Sequence, residues 1–199
     1  MNKSSKSENM AGSILSEALK LAPELGWNPK LVSRLKDEFG VVEITRHYPN
    51  GLIDLAKACA NWADQEMLTA MQDAPLNDMK IREKIAFGVK ARLTALTPHK
   101  HAFIQSFKYM IHPMRGLQTK KLTWQTADRL WYAAGDDATD YNHYTKRMLL
   151  SGVLASTTLY WMRDTSDGHN KTWEFLDRRI SDVLKIGGFM ARLKNKRRG

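Results

Sequence analysis

Hydrophobic positions recur at intervals of three and four residues along most of the chain, as on the buried face of an α-helix. Asn28-Pro29 is a typical helix start, Leu31, Val32 and Leu35 form the apolar face that follows, and Phe39-Gly40 is a typical stop. The same pattern predicts further helices over 13–21, 41–47, 52–71, 79–96, from 97 to 111, 123–134, 140–162 and from about 170. The sequence therefore predicts an all-α fold of about nine helices and no strand.

Composition fits one globular domain. The chain has 199 residues, of which 43% are hydrophobic and 26% charged, with only 12 Gly and 6 Pro. The opening residues are polar and rich in Ser and Lys, so we expect a disordered segment over 1–10, one domain over 11–186, and a basic amphipathic tail over 187–199. The single cysteine, Cys59, excludes an internal disulfide and lies on an apolar helix face, which predicts a buried thiol.

No motif of a known catalytic or metal site occurs in the sequence. Phosphate loops, nucleophile elbows and paired metal-ligand motifs are missing. Glu43 and His47 are four residues apart, but no second pair completes a metal site. Asp136 and Asp137, close to a helix start, are better explained as helix caps than as an acid/base pair. We therefore expect a protein with no catalytic site, no metal and no cofactor.

In the first half of the chain, two short predicted helices precede the turn Tyr48-Pro49-Asn50-Gly51 and a long helix. This arrangement is similar to the helix-turn-helix head of TetR-type repressors, in which the second short helix, here 41–47, enters the DNA major groove. The formal net charge is +10, yet residues 24–54 contain four Lys/Arg and five Asp/Glu, a net −1. Because DNA binding depends on cations placed against phosphates, the head has the predicted architecture without the electrostatics.

The segment Trp124 to Ile180 carries the most informative sequence. It contains ADRLWY (127–132), AGDDATDYNHYTKR (134–147), LYWMRDTS (159–166) and TWEFLDRRI (172–180). These motifs resemble the signature of the ubiquinone (coenzyme Q) biosynthesis accessory family, Coq-nine, with looser agreement in the head. The resemblance implies a TetR-like fold that has lost DNA binding. It also implies a non-enzymatic protein that binds lipid, plausibly polyprenylated quinone intermediates, and a partnership with the di-iron demethoxyubiquinone hydroxylase.

The same resemblance implies a partner-binding patch for that hydroxylase. Carried onto this sequence, the patch falls on Leu130, Asp140 and Tyr144. His143 stands where the family has Trp, and Tyr141 where it has Phe. A Trp would be an apolar anchor, whereas His is smaller and can become charged. The contact, or the partner surface, is therefore expected to differ here.

A lipid cavity is the interpretation that the resemblance favours for the long apolar helix after residue 147. Met148, Leu149, Leu150, Val153 and Leu154 make this helix apolar on most faces, which fits either a plain central helix or a cavity wall. The ligand would be an isoprenoid quinone or a phospholipid. The candidate wall residues are Met67, Met71, Phe103, Phe107, Trp131, Val153 and Leu154.

The C-terminal residues combine apolar and basic side chains, as a helix lying on an anionic membrane does. The expected membrane contacts are Phe189, Met190, Arg192, Leu193, Lys194, Lys196, Arg197 and Arg198. No secretory signal or Arg-rich presequence opens the chain, so we expect a cytoplasmic protein, peripheral on the inner membrane of a bacterium, or on the mitochondrial matrix face if the source is eukaryotic. A homodimer is left open. The alternative function is a TetR-type transcriptional regulator with a hydrophobic effector.

Overall fold

The computed structural model describes the backbone of residues 3–135 and 141–196, and the side chains of residues 7–135 and 144–183. These ranges are helical throughout apart from turns, and no strand occurs in them, so the all-α prediction is confirmed. Short 3-10 turns lie at Thr97–His99, Pro113–Arg115 and Asp167–His169. The α-helices described are α1 (Lys3–Leu25), α2 (Pro29–Phe39), α3 (Val41–His47), α4 (Leu52–Asp73), α5 (Ile81–Leu96), α6 (Lys100–Met110), α7 (Gly116–Ala133), α8 (Tyr141–Arg163) and α9 (Asn170–Lys196).

Helix bounds differ from the prediction at polar ends. Helix α1 begins at Lys3, within the segment 1–10 for which disorder is expected. Helix α7 begins at Gly116 rather than at 123, and α9 continues through Gly187-Gly188, where the tail was expected to separate. The added turns of α1 and α7 contain no buried side chain among the described residues. Apolar periodicity detects only the packed part of a helix, which explains the short predictions.

The start of α2 follows from its capping residues. The Asn28 side-chain oxygen accepts a hydrogen bond from the Lys30 N–H at 2.9 Å, and Pro29 occupies the first helical position, where a missing N–H costs nothing. Gly40 ends the helix with a φ of 86°, in the region that side chains with a Cβ avoid. These residues therefore set both ends of α2 as the sequence predicts.

Tertiary contacts divide the chain into two compact units, where one domain was expected. Unit 1 comprises Met1–Gln65 and Ala95–Leu122, and unit 2 comprises Glu66–Thr94 and Thr123–Gly199. The divisions fall inside α4, α5 and α7, so each of these helices contributes residues to both units. Neither unit is therefore a continuous piece of sequence.

Unit 1 is built around α1, which packs against α2 and α6. Its core includes Ile14, Leu31 and Leu55, which are completely buried. Two side-chain hydrogen bonds fasten distant segments: Trp27 Nε1 donates to the Leu52 carbonyl at 3.2 Å, and the Tyr48 hydroxyl donates to the Ala11 carbonyl at 2.8 Å. Burial raises the pKa of the Tyr48 hydroxyl to about 12.

Unit 2 contains α8 packed against α9. Its core is formed by large apolar side chains with little or no exposure, among them Met67, Val89, Leu93, Leu130, Leu150, Trp161 and Leu176. This unit contains all of the segment from Trp124 to Ile180 that carries the family resemblance, so the surface built by that segment lies within unit 2.

Candidate functional site

The C-terminal part of α7 and the start of α8 form a surface rich in aromatic side chains. Trp124, Asp128 and Tyr132 recur every four residues, so they share one face of α7. Tyr144 and Met148 share a face of α8 in the same way. The rings of Trp124 and Tyr144 stack at 6.3 Å between centroids. We call these five residues the α7–α8 patch.

The α7–α8 patch is both exposed and anchored. Tyr132 on α7 is 74% exposed, and Tyr144 and Met148, one turn apart on α8, are 66% and 62% exposed. Large apolar side chains are usually buried, so their exposure on adjoining helices marks this surface as unusual. Beneath them the Arg147 guanidinium is buried and pairs with the half-exposed carboxylate of Asp128. An ion pair with its cation buried holds one relative geometry of the two helices, so the exposed rings sit on a fixed support.

The predicted partner residues fall differently in the structure. Tyr144 is in the exposed patch, as a contact residue must be. Leu130 is completely buried, with its side chain directed at Gly88 of α5, so the expectation of a direct surface contact for Leu130 is corrected: it supports α7 from the core. Asp140 and the side chain of His143 lie outside the described residues. Tyr132 and Met148 join the surface although the sequence analysis gave neither a role there.

The candidate lipid-wall residues are mostly core residues of their own units. In unit 2, Met67, Met71, Val153 and Leu154 are buried and Trp131 is partly buried. In unit 1, Phe103 is buried, Phe107 is partly buried, and their rings lie 6.1 Å apart.

Gly88 shows how closely the two methionines pack in unit 2. A Cβ added at Gly88 would lie 2.8 Å from Met71 Sδ and 3.6 Å from Met67 Cγ, and Leu130 Cδ1 approaches the same point. There is no room for a methyl group at this position. A ligand that entered here would have to displace flexible side chains, which methionine permits at low cost.

Trp131 differs from the other wall candidates because it brings a polar atom into the interior. Its indole Nε1 is buried and makes no hydrogen bond with any described residue. The Lys146 ammonium lies over its ring, 5.6 Å from the centroid. A buried N–H donor without an acceptor costs free energy, so an acceptor brought by a ligand, such as a carbonyl oxygen, would be stabilising there.

The DTS and TW motifs meet where α8 ends and α9 begins. The buried carboxylate of Asp164 accepts four hydrogen bonds: from the Ser166 N–H and hydroxyl at 2.8 and 2.6 Å, and from the Thr172 N–H and hydroxyl at 2.9 and 2.6 Å. Burial raises the pKa of Asp164, but these hydrogen bonds outweigh it and hold the pKa well below its usual range. The signature residues at this junction therefore have a structural role, because they fix the turn that begins α9.

A cleft of about 530 Å³ opens beside this junction, within the usual size range of small-molecule sites. Its wall includes the rings of Tyr160 and Phe175, which stack at 4.5 Å and 13°. Arg163 and Lys171 border it, and neither pairs with a carboxylate among the described residues, whereas the Asp164 carboxylate on the same border is already saturated with hydrogen bonds. No local sequence pattern predicts this cleft, because its residues come from two helices and a turn whose closeness depends on the α8–α9 packing.

Helix α3, which the sequence resemblance compares with the DNA-reading helix of TetR-type repressors, has the predicted bounds. Val41 and Val42 are 60% and 68% exposed. The Glu43 carboxylate contacts Arg46 at 2.8 Å and His47 at 3.4 Å, so the one Arg of this helix is already paired. A helix presenting two valines and a neutralised arginine offers little to a phosphate backbone.

The remaining candidate features are Cys59, a metal site and membrane contact. Cys59 is completely buried, as predicted. Among the described side chains, no group of three or more His, Cys, Asp or Glu is arranged to hold a metal ion. Among the described residues, no helix combines the length and apolar character that a membrane span requires. The side chains expected to touch a membrane, from Phe189 to Arg198, lie outside the described residues.

The segment that builds this site matches a known protein family. Residues 117–187, which include the α7–α8 patch and the Asp164 junction, match the family model described as COQ9. This segment is COQ9-like. The resemblance predicted from the motifs is thereby confirmed.

Similarity to COQ9 proteins extends along most of the chain. The probable ubiquinone biosynthesis protein coq9, mitochondrial, of Dictyostelium discoideum is 26% identical over 86% of this chain and 59% of its own length. The ubiquinone biosynthesis protein COQ9, mitochondrial, of Rattus norvegicus is 26% identical over 94% of this chain and 63% of its own. The Homo sapiens protein of the same description is 23% identical over 94% and 62%. The chain thus spans about three fifths of the length of these relatives.

The fold has a close counterpart among solved structures. The crystal structure of the TetR transcriptional regulator from Nitrosomonas europaea ATCC 19718 matches with a TM-score of 0.72, covering 88% of this chain and 98% of that one. The sequences are 21% identical, so the likeness concerns the fold. The predicted TetR-like architecture is confirmed.

Proposed function

We propose that this chain is a non-enzymatic, lipid-binding accessory protein of ubiquinone biosynthesis, which presents a polyprenylated quinone intermediate to a di-iron hydroxylase at a membrane. The observation that carries the proposal is the match of residues 117–187 to the COQ9 family, because these residues build the exposed α7–α8 patch. The ubiquinone pathway is named in the descriptions of the relatives. The localisation follows the same proposal: those relatives are described as mitochondrial, and a bacterial counterpart would act on the inner membrane.

The α7–α8 patch supports the partner part of the proposal. Interfaces derive most of their affinity from a few large side chains, often Tyr and Trp, that become fully desolvated on binding. Tyr144 and Tyr132 supply two such side chains, and the Asp128–Arg147 pair holds their helices in place. We therefore expect the hydroxylase to cover Tyr144.

Trp131 and the methionines support the lipid part. Met67 and Met71 can repack around an isoprenoid tail, and the buried indole N–H of Trp131 has an unused hydrogen bond for a quinone oxygen. Each CH₂ of the tail that leaves water contributes about 0.8 kcal/mol. The affinity would therefore come mainly from the tail and the orientation from the head group.

Two measurements test the proposal. Organic extracts of protein purified without detergent, analysed by mass spectrometry, should contain an isoprenoid quinone or phospholipid in near-stoichiometric amount. Capture of the hydroxylase by Tyr144→Ala should be at least ten-fold weaker than by the parent chain, since a central aromatic anchor contributes about 2 kcal/mol or more. Leu159→Ala is the matched control: Leu159 is also exposed on α8, four turns away, and should change capture less than two-fold.

Contradictory outcomes are equally definite. Lipid-free protein in repeated preparations would remove the lipid-binding part of the proposal. Equal capture by Tyr144→Ala and Leu159→Ala would remove the α7–α8 patch as the partner surface. Turnover of a quinone precursor by the purified chain alone would contradict the non-enzymatic role, and tight retention on an operator library would favour the regulator, which the paired Arg46 of α3 disfavours.

A further inference from the structure

The connection between α6 and α7 carries three strongly exposed apolar side chains. Ile111, Met114 and Leu117 are 50%, 88% and 81% exposed. They recur every third residue through the short turn Pro113–Arg115, and all belong to unit 1. A single exposed apolar residue needs no explanation, but three in one short segment mark a contact surface. We call residues 111–117 the α6–α7 turn.

The α6–α7 turn is held in place by polar contacts on its inner side. Arg115 donates from its guanidinium to the Tyr109 carbonyl at 3.0 Å and stacks on the Tyr109 ring at 3.8 Å. The Thr119 hydroxyl donates to the Met110 carbonyl at 2.8 Å. Because its backbone is already ordered, presenting Met114 and Leu117 to a binding surface costs little further conformational entropy.

The charges around the α6–α7 turn are all of one sign. No Asp or Glu occurs in the sequence between Glu83 and Asp128. Lys108, Lys120 and Lys121 flank the turn, and none of them pairs with a carboxylate among the described residues. An apolar turn flanked in sequence by these lysines complements a surface that is apolar at depth and anionic at its face. A lipid membrane with acidic head groups has this layering.

We propose that the α6–α7 turn docks on an anionic membrane, with Met114 and Leu117 entering the head-group region and Lys108, Lys120 and Lys121 contacting lipid phosphates. These residues are different from the C-terminal residues 187–199 for which membrane contact is expected. The inference rests on the proposed function only in that both place the chain at a membrane. It would stand if no quinone were bound, because it depends on exposure and charge in unit 1 alone.

Sedimentation with phosphatidylcholine–phosphatidylglycerol vesicles tests the apolar part. The double variant Met114→Glu, Leu117→Glu should bind at least ten-fold more weakly than the parent chain, since apolar burial is lost and two anions face an anionic surface. The control is Val41→Glu, Val42→Glu, which changes the same charge at two apolar residues of unit 1 that are 60% and 68% exposed. It should change binding less than three-fold.

The cations and the depth of insertion need separate measurements. Lys120→Gln, Lys121→Gln should weaken binding by roughly five-fold per residue, and Lys30→Gln, Lys36→Gln in α2 should not. A polarity-sensitive fluorophore on Met114→Cys should shift to the blue on anionic vesicles and not on pure phosphatidylcholine. Cys59 is completely buried, so the introduced thiol is labelled selectively, and Val42→Cys is the unshifted control.

The proposal is overturned if the Met114/Leu117 and Val41/Val42 variants bind vesicles equally, or if the probe at position 114 shifts only when a protein partner is added. Substituting Phe189 and Leu193 while the turn is intact separates the contribution of the tail. Lipid content and hydroxylase capture, measured on the same preparations, should be unchanged in the turn variants. A failure of the membrane inference is thereby distinguishable from a failure of the proposed function.

Discussion

Gly88 provides the sharpest test of how tightly unit 2 is packed. Glycine inside a helix is normally a weak point, and replacing it by alanine stabilises by about 0.5–1 kcal/mol. At Gly88 the added methyl carbon would lie 2.8 Å from Met71 Sδ, where ordinary contacts begin near 3.4 Å, and it would also press on Leu130. The substitution Gly88→Ala therefore sets helix propensity against steric crowding.

The expected outcome is a net loss of stability. Overpacking a filled core costs about 1–3 kcal/mol, and the crowded atoms are the ends of flexible side chains, which places Gly88→Ala toward the lower half of that range. After subtracting the propensity gain of about 0.5–1 kcal/mol, we expect a net loss of up to about 1.5 kcal/mol. For a chain of this size, 1 kcal/mol corresponds to a shift of about 2–4 °C in Tm.

Gly152 is the matched control. It lies inside α8 and is exposed, and a Cβ built there meets nothing within 4 Å. Gly152→Ala should therefore show the propensity gain alone and raise Tm by about 1–4 °C. Urea unfolding followed by circular dichroism measures both variants under the same conditions. If Gly88→Ala proved as stabilising as Gly152→Ala, the space beside Gly88 would be open, and the packing of Met67 and Met71 described above would be wrong.

Three further predictions concern the buried polar side chains of Asp164 and Tyr48. Asp164→Ala should lower the free energy of unfolding by about 2–4 kcal/mol in urea titrations, because it removes four hydrogen bonds to a buried carboxylate, whereas Asp167→Ala on the exposed turn should change it by less than about 0.5 kcal/mol. Folding lowers the pKa of Asp164, so the stability that its carboxylate contributes is present above a pH of about 4 and is lost as the pH falls further. The unfolding free energies of the parent chain and of Asp164→Asn should therefore converge in acid. A difference that stays constant with pH would contradict this role of Asp164. Tyr48→Phe should cost about 1 kcal/mol at neutral pH, and it should reduce the loss of stability between pH 10 and 12 that a folded pKa of about 12 imposes on the parent.

The sequence predicts the helices well because most of them bury an apolar stripe. Helices α2 and α3 have the predicted bounds, and their limits follow from Asn28, Pro29 and Gly40, residues with strong local preferences. The first turns of α1 and α7 were missed because they bury too few apolar residues for a periodic signal. The sequence thus predicts a helix boundary only where the residue at that boundary has a strong capping or turn preference.

The candidate site was predictable only as far as local sequence determines it. The motifs located the α7–α8 segment and Tyr144, but they could not show that Leu130 faces Gly88 rather than solvent, since a leucine next to Trp131 fits either side of α7. The Asp164 junction had a readable signal that was not used: an Asp at a helix end, followed by Ser two residues later and by Thr at the start of the next helix. The cleft between α8 and α9 had none, because it arises from their packing.

The weaving of the chain between the two units has a consequence for how such a protein can change over evolutionary time. Unit 1 joins the N-terminal helices to residues 95–122, and α1 packs against both α2 and α6, so two distant parts of the chain share one core. A deletion that removed these N-terminal helices would also remove the packing partner of α6. Selection for folding alone is then sufficient to preserve a TetR-like shape at this end of the chain, whatever that end binds.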